Sequence, residues 1–346
     1  MKRLRWPRWM PVDPYIVLLL GTVGLAALLP ARGMAAPVAS GASTAAIAFL
    51  FFLYGARLST QETLAGLKHW RLHGTVLACT FVVFPLLGLA ARGLVPVLLT
   101  HSLYTGLLFL TLVPSTIQSS IAFTSIARGN VPAAISAGSF SSLAGIVLTP
   151  LLAAALLGNS GGGFSADSLV TIVLQLLVPF LAGQLLRRWI GGFITRHKKV
   201  LELVNRGSIL LVVYAAFSEG MVQGIWHQVS PLRLGGLLVV EAVLLTVMLA
   251  LTWYGSRALG FSREDRIAIQ FAGSKKSLAS GLPMASVLFG AHASLAVLPL
   301  MLFHQMQLMV CAVIAKRRAR DAEGPAVSPG TAAAPRTAVG TGTRSG

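Results

Sequence analysis

Charge is scarce in this chain, and negative charge is scarcer still. Of its 346 residues only 11% are charged, with 10 Asp and Glu against 28 Lys and Arg; a soluble domain carries roughly a quarter. A mean hydropathy of +0.76 then assigns the chain to the membrane. Cysteine is also rare. Cys79 and Cys311 stand alone in apolar runs without CxxC spacing, which excludes a disulfide framework and leaves both as packing residues. The net charge of +18 could suggest nucleic acid, but that requires basic residues on one shared face, whereas here they fall in short clusters between apolar runs. That is the pattern of loops held on one side of a membrane. No nucleic-acid partner is expected.

What the chain does have is apolar length. Splitting it at charge clusters and at Gly/Pro-rich breaks predicts ten spans, at about 14–31, 42–58, 73–92, 102–127, 132–157, 168–188, 206–225, 232–256, 265–289 and 292–315. MKRLRWPRW ahead of the first has some look of a secretory leader, but the long apolar run and the Pro30 and Arg32 that follow favour a retained helix. With residues 1–13 cytoplasmic, the outside segments hold only Arg32, Arg92 and Arg233. So large an asymmetry predicts ten spans with both ends inside. Residues 158–167 read as an outside linker, and the Gly-, Pro-, Ala- and Thr-rich stretch 317–346 as a disordered cytoplasmic tail. The linker separates a first five-span half, 14–157, from a second, 168–316. An odd number of spans per half makes any repeat an inverted one.

The fourth span of each half carries a polar interruption: VPSTIQSSIAFTSIARGNVPAA at 113–134 and FAGSKKSLASGLPMA at 271–285. Paired broken segments at membrane depth mark the ion or ligand site of a transporter, because unwound carbonyls and half-helix ends can bind there. Close helix packing explains the serines by themselves. It does not explain Lys275 and Lys276. Counting from Asp265, Lys275 lies about 15 Å along a helix, near the middle of a ~30 Å hydrocarbon core. Each central lysine costs roughly 2.5–3.5 kcal/mol, so the pair must be neutralised, hydrated or used. The acids within the spans are Glu219 and Glu241; Glu219 reads as a lysine partner or an outer-surface carboxylate, Glu241 as a packing or ion-pair residue. In the last span His292 reads as structural, and His304, Gln305 and Gln307 form a polar cluster.

Through FLFFLYGARLS (50–59), VPSTIQSSIAFTSIARGNVPAAISAGSFSSLAGIVLTPLL (113–152) and AIQFAGSKKSLASGLPMASVLF (268–289), the chain resembles the bile acid:sodium symporter family over roughly 14–316. It is most similar to the bacterial branch allied to the seventh human member. The resemblance implies an all-α polytopic membrane protein: ten transmembrane helices as two inverted five-helix repeats, a panel and a core, with two discontinuous helices crossing near the site. It implies two sodium ions behind the crossover, with Ser119 and Ser120, Thr80, and Ser136 or Ser139 as oxygen ligands. The chain departs from the family at Gln270 to Lys276, where an expected carboxylate is missing. A lysine ammonium could fill that space and supply the charge, which puts sodium in question and makes the proton a second coupling ion.

The expected function is secondary transport, by alternating access, of an organic anion or similar small solute at Gln118, Ser119, Ser120, Ser274, Lys275, Lys276, Ser277 and Glu219, with no cofactor unless sodium itself. The expected place is the bacterial inner membrane. Two alternatives stand beside it: a non-transporting regulator of the same fold, and an intramembrane hydrolase using Ser274 or Ser277 with a lysine base. The residues do not specify an oligomeric state.

Overall fold

The structure is a computed structural model that describes residues 14–57, 69–157, 166–224 and 230–321. The expected N-terminal segment 1–13, most of the 158–167 linker and the tail beyond 321 lie outside the described residues. Among the described residues the chain is helical throughout. In order the helices are α1 Pro14–Leu28, α2 Ala35–Arg57, α3 Trp70–Leu94, α4 His101–Leu112, α5 Ile117–Ile126 and α6 Val131–Leu157. The second part holds α7 Ala166–Arg196, α8 Lys198–Val222, α9 Pro231–Ala258, α10 Arg263–Gly273, α11 Leu278–Phe289 and α12 Ala293–Asp321.

Six of these, α2, α3, α6, α8, α9 and α12, are long and apolar enough to cross a membrane, and α4 with α5 makes a seventh span bent by 64°. Large apolar side chains stand exposed along α1, α7 and α9, among them Leu18, Val178, Trp189, Val239 and Val243. Such surface is lipid-facing. This is a multi-pass membrane protein. Of the remaining expected spans, α1 is shorter, α7 is described only in part at its start, and α10 with α11 carries the two lysines in its break. Helix ends differ from the sequence reading where charge begins. Helix α7 runs on to Arg196, α8 starts at Lys198, and α12 continues to Asp321, through residues expected in the tail. Basic side chains can lay their stems on apolar surface, so a helix need not stop where the hydrocarbon does.

The helices pack as two groups. Helices α1, α2, α7 and α8 form one, in which α2 and α7 are in closest contact, and α3–α6 with α9–α12 form the other. Glycine sets the α2–α7 approach: a Cβ on Gly55 would lie 1.9 Å from the Phe180 carbonyl oxygen, and one on Gly183 would lie 2.0 Å from that of Phe52. In the second group, α10 starts from a Ser262 cap with Glu264 and Asp265 in its first turn. Asn130 ties that end to the start of α6, its Nδ2 donating to Asp265 Oδ1 at 2.7 Å and its Oδ1 accepting from the Ala133 N–H at 3.0 Å.

The groups meet where α7 packs on α6 and where α8 packs on α11 and α12, and one hydrogen bond also joins α2 to α11. Pro283 has no N–H, so the Ala279 carbonyl one turn earlier lacks its helical donor. The Tyr54 hydroxyl donates to that carbonyl at 3.2 Å.

Candidate cation and ligand site

Two helix breaks lie against each other inside the second group. Val113, preceding Pro114, is extended (φ −73°, ψ 154°), as a residue before proline tends to be, and α4 ends there. Helix α10 ends at Gly273, and the polar run Ser274–Ser277 precedes α11. Unwound backbone at membrane depth must find partners inside the protein. It does so across the breaks: the Ser277 N–H donates to the Pro114 carbonyl at 2.8 Å, Ser115 Oγ to that of Ala272 at 2.5 Å, and Ser120 Oγ to that of Phe271 at 2.9 Å. The Ser115 N–H donates to Ser141 Oγ on α6 at 2.9 Å.

Both lysines are fully buried, at 0% exposure. Lys276 Nζ donates to three backbone carbonyls: Thr80 at 2.9 Å, Thr111 at 2.7 Å and Val113 at 2.9 Å. Each of these oxygens is left over by the local sequence. The last carbonyls of α4 have no helical donor, and the Ser115 N–H that would have served Thr111 is turned toward Ser141. On α3 a π-turn spans Cys79–Val83, so the Phe84 N–H bonds to Cys79 rather than to Thr80; the next residue, Pro85, has no N–H to offer. The cage is completed by the Phe84 ring, whose centroid is 4.2 Å from Nζ. The Lys276 peptide is held as well, its N–H donating to Gln307 Oε1 and its carbonyl accepting from Gln307 Nε2, both at 2.8 Å. His304 Nδ1 lies 2.8 Å from that same amide nitrogen.

Lys275 points the other way. Its Nζ donates to Ser119 Oγ at 3.1 Å and lies 4.6 Å from the Phe123 ring centroid. The serines expected to pair with a lysine base are engaged elsewhere, Ser274 Oγ with the Gln270 carbonyl at 2.5 Å and Ser277 Oγ with Ser280 Oγ at 3.1 Å.

Two of the five expected sodium ligands serve the lysines. Ser119 accepts from Lys275, and Thr80 sends its hydroxyl back to the Val76 carbonyl at 2.8 Å while its own carbonyl accepts from Lys276. Ser120 stitches the breaks, Ser139 lines a cavity, and Ser136 is half-buried on α6 with no hydrogen bond among the described residues. A cation could enter the carbonyl cage only by expelling the ammonium. Held 4 Å beside it, a second positive charge would be repelled by about 4 kcal/mol at a dielectric of 20. The cage does not fit sodium while Lys276 fills it.

Next to the crossover, between the two helix groups, lies a cavity of about 330 Å³. The first turns of α5 (Thr116, Ile117, Gln118) and α11 (Ser277, Ala279, Ser280) both open into it. Arg57 and Arg206 line it too. Arg206 is paired with Glu202 at 2.8 Å, whereas Arg57 Nη2 has no hydrogen-bond partner among the described residues. A second cavity of about 590 Å³ lies toward the other end of α2, α8 and α11, lined by Ser40, Ser43, Glu219 and Ser286. Glu219 is exposed there and makes no ion pair with either lysine among the described residues. Glu241 is fully buried, and neither carboxylate oxygen has a hydrogen-bond partner among the described residues. His292 is exposed.

The sequence singled out the lysines, Gln118 and the paired breaks, and the structure brings the lysines and the breaks together beside the cavity that Gln118 lines; the sequence did not reveal the contacts of Arg57, Tyr54, Ser115, Ser141 and the α4 carbonyls. The available signals were prolines: Pro85 five residues after Thr80, and Pro283 four after Ala279.

The sequence profile of the SBF-like CPA transporter family matches residues 13–320. The chain belongs to that family. Among the relatives of this SBF-like chain are an uncharacterized protein of Pseudomonas aeruginosa, PA2026, 55% identical over 93% of this chain and 97% of its own length, and YfeH of Escherichia coli K12, named provisionally as a symporter, 48% identical over 90% and 94%. Sodium/bile acid cotransporter 7 of Danio rerio is 28% identical over 78% of this chain and 81% of its own length. These matches bear out the resemblance read from the three motifs, within an SBF-like family of transporters.

Proposed function

We propose that this SBF-like protein is a secondary transporter that carries a small organic anion by alternating access. The observation that carries the reading is the 330 Å³ cavity, where two half-helix N-termini converge with Arg57, whose Nη2 has no hydrogen-bond partner among the described residues. Helix N-termini present free N–H groups and the positive end of the dipole, and a guanidinium adds a fork of donors suited to an anion. The volume is that of a small-molecule site. Access from alternate sides is supported by the second cavity, which lies toward the opposite end of the same three helices.

In this reading the ten expected spans form two inverted halves, 14–157 and 168–316, joined by the outside linker at 158–167 and followed by the cytoplasmic tail. Two features support it: α1 and α2 from the first half pair with α7 and α8 from the second, and each half contributes one broken helix to the crossover. The positive-inside pattern sets both ends in the cytoplasm of a bacterial cell, with the protein in the inner membrane. Solute movement is coupled to a cation, as the word symporter in the name of YfeH suggests.

The test is thermal stabilisation of purified protein across a library of organic anions, followed by uptake into proteoliposomes. Arg57→Ala should raise the half-saturating concentration of a stabilising anion by about tenfold, or about 1.4 kcal/mol. An unchanged value would remove Arg57 from the site. Folded protein that neither binds nor moves any anion would favour a regulator of the same fold.

A further inference from the structure

Three carbonyl oxygens converging on one point make a cation cage, since hard cations choose oxygen ligands. Here the occupant is covalently attached. Carbonyls only accept hydrogen bonds, so three of them at 2.7–2.9 Å from Nζ require three N–H donors. A neutral amine has two, and its lone pair would face an oxygen. The geometry therefore calls for the ammonium form. The cage belongs to the crossover itself, because Thr111 and Val113 end α4, Thr80 sits in the α3 π-turn, and Lys276 lies in the break between α10 and α11. One ammonium thus holds three separate stretches of backbone together, and Gln307 clamps the Lys276 peptide from α12.

We propose that Lys276 is a tethered cation that permanently fills an alkali-ion-like cage, so that the crossover is held together without sodium, and that removing the side chain opens a site for a free primary ammonium ion. This assignment rests on the crossover geometry alone and stands whether or not the transported solute is an anion.

The experiment reads thermal unfolding of the full-length protein in detergent, with ionic strength held constant by choline chloride. Wild-type protein should show no saturable shift of its midpoint with sodium and no saturable binding of radioactive sodium. Lys276→Gly should unfold at a lower temperature and recover most of the loss with n-butylammonium, which replaces the missing side chain. It should recover nothing from n-butyltrimethylammonium, which has no N–H to donate. Saturable sodium binding or stabilisation in the wild type would overturn the proposal, as would equal recovery with the quaternary ion or none with the primary one. If the glycine variant does not fold, Lys276→Met, which keeps the chain as far as Cε and lacks only Nζ, is assayed with ammonium against tetramethylammonium on the same criteria, and the wild-type sodium arm decides by itself in any case.

Discussion

At the scale of single residues, the adjacent lysines do different work despite identical burial. Lys276 serves three carbonyls, whereas Lys275 reaches one hydroxyl and two aromatic rings. A buried polar group stripped of its partner costs about 1–3 kcal/mol. Lys276→Ala should therefore lower the unfolding midpoint more than Lys275→Ala, which leaves only the Ser119 hydroxyl short of a donor. Both variants should lose solute uptake, and Lys275→Ala should remain folded and inserted. Circular-dichroism melts alongside proteoliposome uptake test this; the reverse order of stability, or unchanged transport in both, would refute it. The sequence made these residues visible through their cost in hydrocarbon. It could not show which carbonyls would receive them, because that depends on where two helices stop and on a π-turn that shifts donors by one residue.

At the scale of elements, helix existence was the legible part, since apolar length and polar loops dictate it. The breaks were legible too, because Pro114 and the polar runs leave their mark in the chain. Helix ends beyond the expected spans were not, as between Arg187 and Arg206, where charge clusters interrupt the apolar pattern but both helices continue, one to Arg196 and the other from Lys198. The α2–α7 contact is a packing feature with a direct test. Gly55→Ala places a methyl 1.9 Å from the Phe180 carbonyl, on backbone that has little freedom to yield. Overpacking of this kind costs about 1–3 kcal/mol. Gly55→Ala should lower the midpoint measurably, whereas Gly74→Ala, whose Cβ would meet nothing within 4 Å, should leave it in place. Equal midpoints for the two variants would mean that α2 and α7 are not so closely apposed.

For the whole molecule, the two helix groups meet across the cavities, and Tyr54 on α2 bonds to the Ala279 carbonyl on α11 at that junction. If transport needs these groups to move relative to each other, bridging Tyr54→Cys and Ala279→Cys with a short bifunctional thiol reagent should arrest uptake, and each single variant treated alike should retain it. Persisting uptake in the bridged protein would show that α2 and α11 travel together. The pair of cavities carries one more consequence. Along α2, Ile47 lines one and Phe51 the other, so about 6 Å of helix separates them. Where water fills both, the membrane potential no longer falls over the ~30 Å of hydrocarbon. It falls over that one turn, a several-fold steeper field, and a unit charge crossing it exchanges nearly the whole ~2.3 kcal/mol per 100 mV in a single step.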